Sequence, residues 1–300
     1  MDRFNAQKAE QSEQLEIYDA TEMPLAGDPL LPFAFDELTC RAIARGGRGP
    51  VLHLWRHRRA LVLGLRDRRL PGAREAVAAL EAAGWKTAVR PSGGAAVPLD
   101  EGVVNVSLML PQPAGAVRLN EDFARMAALI RETVERMAPG ARIEAGEVRG
   151  AYCPGDFDLS VGGRKFCGIA QRRLSGAFML QAFVVVEGAG AERARAAAEF
   201  YRRAAGRTNG ASVPGLLQVT EASAGSLQEL TGGASCGDFV RMLKEVAVRG
   251  KSAERTGEEM RTAPAEENPA DEARPMSAVF YAGEALLAEA ERLRERYGIN

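Results

Sequence analysis

The stretch Asp158-Leu159-Ser160-Val161-Gly162-Gly163-Arg164-Lys165-Phe166-Cys167-Gly168-Ile169-Ala170-Gln171 decides how the middle of this 300-residue chain folds. Apolar and polar residues alternate ahead of a Gly-Gly pair, and a second run returns after it. That is the signal of a β-hairpin with a two-residue turn. With Gly162-Gly163 as the turn, Val161 faces Arg164, Ser160 faces Lys165 and Asp158 faces Cys167. The period of two then puts Lys165, Cys167 and Ile169 on one side of the sheet. Leu159, Val161, Phe166 and Ala170 take the other, core side. Lys165 thus shares a face with a thiol. The plain reading is a solvated edge lysine; the sharper one is a cation placed to lower a thiol pKa.

Outward from the hairpin, residues 51–55, 61–65, 85–90, 103–110 and 178–186 read as strands. Residues 36–45, 71–84, 120–137, 192–205 and 238–248 read as helices, the first capped by Asp36. This mixed order predicts an α+β (mixed α/β) fold, a mixed β-sheet flanked by helices. Residues 1–32 are polar and then punctuated by prolines, so they read as a flexible N-terminal segment. Residues 33–250 form the expected catalytic domain. Residues 251–275 are charged and nearly free of large apolar side chains, the pattern of a linker. Residues 276–300 carry a C-terminal helix, with Val279, Phe280, Leu286, Leu287, Ala290, Leu293 and Tyr297 near a 3.6-residue spacing.

Composition excludes several chemistries. There are 39 Lys+Arg against 40 Asp+Glu, and a net charge of −1 argues against a dedicated nucleic-acid binder. The two histidines, His53 and His57, and four cysteines without a CxxC pair support no metal site. The cysteines read as reduced thiols, and acid–base work must fall on another residue type. No apolar leader and no run near ~18 apolar residues is present, so the expected setting is the cytoplasm with no membrane contact. His53 falls inside a strand. His57 falls in the turn Arg56-His57-Arg58-Arg59, which reads as exposed.

Two further segments carry chemistry. In Arg90-Pro91-Ser92-Gly93-Gly94-Ala95-Ala96-Val97, adjacent glycines let backbone N–H groups approach a ligand, though no GK[ST] follows to make a P-loop. In Tyr152-Cys153-Pro154-Gly155-Asp156, a cysteine before Pro-Gly sits on a turn, where a thiol can be exposed.

Together these segments resemble the biotin/lipoate protein ligase superfamily. The Ser92-Gly93-Gly94 loop with Asn105 on the following strand is similar to its glycine-rich loop. Lys165-Phe166-Cys167-Gly168-Ile169-Ala170-Gln171 is similar to its lysine motif. Cys153-Pro154-Gly155-Asp156-Phe157-Asp158-Leu159-Ser160 resembles the amidotransferase branch. The resemblance covers roughly residues 33 to 250. It implies transfer of an octanoyl group from the lysine of octanoylated glycine cleavage H protein to the lysine of lipoyl domains of 2-oxo acid dehydrogenase complexes. It implies Cys153 as the thioester nucleophile, and Lys165 as the group that lowers its pKa and shuttles protons. Ser92, Gly93, Gly94, Asn105, Gly168 and Gln171 would bind substrate. No cofactor, metal or nucleic acid is implied. Transfer from acyl carrier protein and ATP-dependent lipoate ligation are the alternatives, and Ala95 in place of a third glycine favours a transferase. Cys167 is the rival nucleophile. The clusters Arg56-His57-Arg58-Arg59, Arg66/Arg68/Arg69 and Arg172-Arg173 would form a basic face for acidic partner domains.

Overall fold

The computed structural model describes residues 14–112, 115, 117–206, 213–255, 274–275 and 281–299. Along the chain the strands are β1 (Glu16–Leu25), β2 (Val51–His57), β3 (Arg59–Leu63), β4 (Lys86–Val89), β5 (Val97–Asp100), β6 (Val103–Pro111), β7 (Ile143–Ala145), β8 (Leu159–Val161), β9 (Arg164–Leu174), β10 (Ala177–Val185) and β11 (Arg274–Pro275). The helices are α1 (Leu31–Ala44), α2 (Ala73–Ala82), α3 (Leu119–Met137), α4 (Gly190–Ala204), α5 (Leu227–Thr231), α6 (Cys236–Arg255) and α7 (Glu284–Tyr297). The large sheet is mixed, in the order β11-β1-β2-β6-β10-β9-β8-β7, with a small sheet β4-β3-β5.

The central strands β2, β6 and β10 are buried on both faces, which is why they read as nearly continuous apolar runs. One face packs Leu52, Leu54, Val104, Val106, Leu180 and Val184 against α3 and α6 through Met126, Ile130, Phe239 and Leu243. Burying each large apolar side chain contributes about 1.5–3 kcal/mol. The opposite face carries α1 and α7, with Phe33, Phe35 and Ile43 of α1 packed near Val51, Trp55, Met109 and Met179. The site lies on this second face, between the two sheets. A third core under the small sheet joins Leu61 and Leu63 to α2 and α4.

Several expectations are corrected. Residues 1–32 are not one loose segment, because 16–25 form β1, parallel to β2. Its polar side chains are tied down. Arg48 bonds Glu16, while Thr21 and Lys244 bond Asp19. Residues 1–13 lie outside the described residues. Asp36 does not cap α1, which starts five residues earlier, at Leu31, with Pro32 in its first turn. Asp36 is fully buried against the sheet. His57 is fully buried, with Nδ1 accepting from Arg59 N–H and Nε2 3.2 Å from Gly27 O. Burial pushes its pKa down. The expected linker at 251–275 is helical to Arg255 and adds β11 at 274–275; 256–273 lie outside the described residues. Of the expected C-terminal helix, the described part begins at Glu284, where Gly283 accepts the first helical N–H bonds, and 276–280 lie outside the described residues.

The hairpin turn forms as read, with Gly162 and Gly163 at φ of 56° and 72°. Val161 pairs with Arg164 and Ser160 with Lys165, but Leu159 pairs with Cys167, across a bulge. The extra residue turns Phe166 and Cys167 to the same core, on the α3/α6 face. Cys167 therefore does not share Lys165's side.

Candidate active site

Cys153 occupies the turn that leads into β8. Its φ of +48° makes it the one left-handed non-glycine among the described residues. Such a conformation costs about 1–2 kcal/mol for a residue with a Cβ. The turn is held from below by Lys165, only 1% exposed. Its Nζ donates to Tyr152 O at 3.0 Å, Cys153 O at 2.5 Å and Asp158 Oδ2 at 2.7 Å. An ammonium has three N–H donors, so all three are engaged. Asp158 Oδ2 also accepts Gly155 N–H at 3.0 Å, which pins the Pro154-Gly155 corner. Burial raises the Asp158 pKa to about 6, against the lowering pull of Lys165.

The sulfur faces the other way. Ala95 N–H and Arg90 Nη2 donate to Cys153 Sγ at 3.3 and 3.4 Å. Arg90 also binds Gly93 O and Ala95 O, so one guanidinium folds the glycine loop around the thiol. A side chain at Gly94 would meet Sγ at 2.8 Å and Arg90 Nη2 at 2.5 Å, and its φ is +92°, so this position requires glycine. The thiol expected to be exposed is 8% exposed, because this loop covers it. The cation nearest the sulfur is Arg90; Lys165 bonds the carbonyl side of the same residue. Burial pushes the Cys40 and Cys236 thiols up to about 12 and raises Cys167 further. Cys167 is fully buried.

Beside the sulfur opens a cleft. Its walls are mainly apolar, with Phe33, Trp55, Val62, Val97, Leu99 and Phe183. Of the residues read from the sequence, Ser92, Asn105 and Gly168 line it together with Cys153. A Cβ on Gly168 would come within 2.5 Å of the Phe183 ring. Gly93 and Gly94 sit on the exposed rim. Gln171 is not brought to the cleft. It pairs across from Leu180, and its amide bonds Leu119 O and Arg173. Sequence reasoning missed Arg90 as a sulfur donor and Asp158 as the lysine's partner, although both stand inside the quoted stretches. It also missed Ser107 and Gln181, polar residues within apolar strands.

The basic clusters do not form one free face. Arg56 bonds Thr21 O and Glu101 O, Arg172 pairs with Glu37 and Arg173 with Asp122. Arg58, Arg59, Arg66 and Arg69 are exposed. Among the described residues no group of three His, Cys, Asp or Glu could hold a metal, and no helix is long and apolar enough to cross a membrane.

The profile of the lipoyl protein ligase A/B catalytic domain matches residues 28–246. The chain is 41% identical over 218 residues to an octanoyl-[GcvH]:protein N-octanoyltransferase of Anoxybacillus flavithermus, covering 72% of this chain and 78% of the relative. It is 37% identical over 219 residues to a protein of the same name from Exiguobacterium sibiricum, covering 73% and 77%. In three dimensions it resembles lipoate-protein ligase A crystallised with ATP, with a TM-score of 0.61 at 18% identity over 96% of this chain and 100% of that one. At that identity the likeness speaks for the fold.

Proposed function

The chain belongs to the lipoyl protein ligase A/B catalytic-domain family, and we propose that it moves an octanoyl group from a lysine of the glycine cleavage H protein to a lysine of lipoyl domains, through a thioester on Cys153. The names of its relatives make it an N-octanoyltransferase and favour the H protein over acyl carrier protein or free lipoate with ATP as the source. The observation that carries the chemistry is the left-handed turn at Cys153, which holds its sulfur at the mouth of an apolar cleft with two donors on it.

The sulfur attacks the octanoyl-lysine carbonyl. A C–S bond forms, the C–N bond breaks, and the lysine amine leaves with a proton. In the second half an incoming lysine amine attacks the thioester, C–N forms, C–S breaks and the proton returns. One amide replaces another, so the exchange is close to thermoneutral and needs no nucleotide. The thioester divides one slow amide displacement into two easier steps. Arg90 Nη2 and the Ala95 N–H point at the sulfur and are placed to stabilise charge that develops beside it as the carbonyl is attacked. Lys165 Nζ, which bonds the carbonyl of Cys153 behind the turn, is assigned as the proton donor and acceptor. To serve, it exchanges one backbone carbonyl for the substrate amine. Ser92, Asn105 and Gly168 line the acyl chain's path, and Gly94 lets the loop close on the sulfur.

Intact-mass spectrometry after mixing with octanoylated H protein tests the donor. A hydroxylamine-sensitive octanoyl adduct without ATP is expected. An adduct formed only from octanoyl carrier protein would reassign the donor. Because Gln171 points away from the cleft, Gln171→Ala is expected to keep transfer within about twofold of the unaltered enzyme. A much larger loss in a kcat/KM comparison would return that residue to the site.

A further inference from the structure

Three central strands each contribute a polar residue to one row on the cleft-side face of the sheet, and β6 carries a second, Asn105, one row nearer Cys153. The three in the row are His53 on β2, Ser107 on β6 and Gln181 on β10, and the register sets them side by side. Asp36 of α1 closes over this row. Its Oδ2 accepts from Ser107 Oγ at 2.6 Å and Gln181 Nε2 at 2.7 Å, and its Oδ1 lies 2.8 Å from His53 Nδ1. The far side of His53 meets Tyr281 OH at 2.8 Å, from the segment that leads into α7. Four of these groups are at most 5% exposed, and Gln181 is 9% exposed with its Oε1 unpartnered.

The row has a definite place along the cleft. Trp55, Asn105, Phe183 and Gly168 make the preceding row, nearest Cys153 and Lys165. Ser107, Gln181 and Ala170 follow one pleat repeat later, about 6.8 Å on. The next row, Val51, Met109 and Met179, is packed into the core and lines no part of the cleft. We propose that the hydrogen-bonded set Asp36–Ser107–Gln181, backed by His53 and Tyr281, is a polar end wall that limits the acyl chain to about eight carbons. The inference builds on octanoyl transfer as the reaction. Apolar walls accept methylenes up to the wall. A longer chain would have to part Asp36 from Ser107 or Gln181, leaving buried polar groups unpaired beside a methyl group.

Acylation of the enzyme by N-acetylcysteamine thioesters of 6 to 14 carbons, followed by intact mass, reads the cleft without the H protein. Failure of the donor assignment would therefore not disturb it. The unaltered enzyme is expected to load eight carbons at least about tenfold faster than twelve. Gln181→Ala should open the wall and raise the twelve-to-eight rate ratio at least about tenfold. Ala170→Leu, opposite Gln181 on the cleft floor, should shift the optimum to six carbons and serves where Gln181→Ala fails to fold. Equal loading of eight to fourteen carbons by the unaltered enzyme, loading of none, or an unchanged length profile in a folded variant would overturn the end wall.

Discussion

Cys153→Ala is expected to abolish the octanoyl–enzyme adduct and lower transfer by roughly 10⁴-fold or more, whereas Cys167→Ala keeps both. The two thiols lie on opposite faces of the large sheet, and that placement decides between them. Cys153 faces the cleft, with Arg90 and Ala95 N–H at 3.4 and 3.3 Å from its sulfur. Cys167 is fully enclosed with Phe166 and Leu159 against the α3/α6 core, where burial raises its pKa and no substrate carbonyl reaches it. Its loss should appear as about 1 kcal/mol of stability in a denaturant titration, with the adduct unchanged. An adduct that survives Cys153→Ala and disappears in Cys167→Ala would reverse the assignment.

The same pair shows how much of the site is legible in the sequence. The hairpin turn was readable because Gly-Gly at positive φ has few alternatives. Strict alternation then put Cys167 beside Lys165. One bulged residue reversed that, and a bulge leaves no reliable mark in residue types alone. The strands of the central sheet were legible from their apolar runs, and Cys153, Lys165, Ser92 and Asn105 from their motifs. β1 was not, because Asp19 and Glu16 look like solvent-facing residues until Lys244 and Arg48 are placed beside them. Asp36 looked like a helix cap because an aspartate ahead of apolar residues usually is one. Its partners are 17, 71 and 145 residues away, on strands whose alignment no local pattern specifies. Polar residues inside apolar strands were the available signal. His53, Ser107 and Gln181 each break such a run on the same face.

Lys165→Ala is expected to reduce transfer by about 10²–10⁴-fold, and Asp158→Asn by a smaller factor together with a changed pH profile. The lysine is bound on three sides, by two carbonyls of the Cys153 turn and by Asp158. Removing it therefore removes both the proposed proton carrier and the clamp on a left-handed cysteine. Lys165→Arg separates the two losses. It keeps the positive charge, but guanidinium does not give up a proton near neutral pH, so transfer should stay low. Asp158 sets the acid side. Its pKa of about 6, above the ordinary 3.8, means that the folded protein binds this proton more tightly than the unfolded chain does. Its contribution to stability is thus fully present below pH ~4 and is lost as pH rises through about 6. Activity has the opposite slope, because only the ionised carboxylate carries the charge that balances the Lys165 ammonium, whereas the neutral acid can still accept both hydrogen bonds at Oδ2. Transfer by the unaltered enzyme should therefore lose activity on an acid limb near pH 6, and Asp158→Asn should flatten that limb while lowering the plateau. Paired kcat/KM and denaturant-midpoint series from pH 4.5 to 8 measure both slopes. An acid limb that persists unchanged in Asp158→Asn would show that another group gates the reaction and that Asp158 only holds the turn.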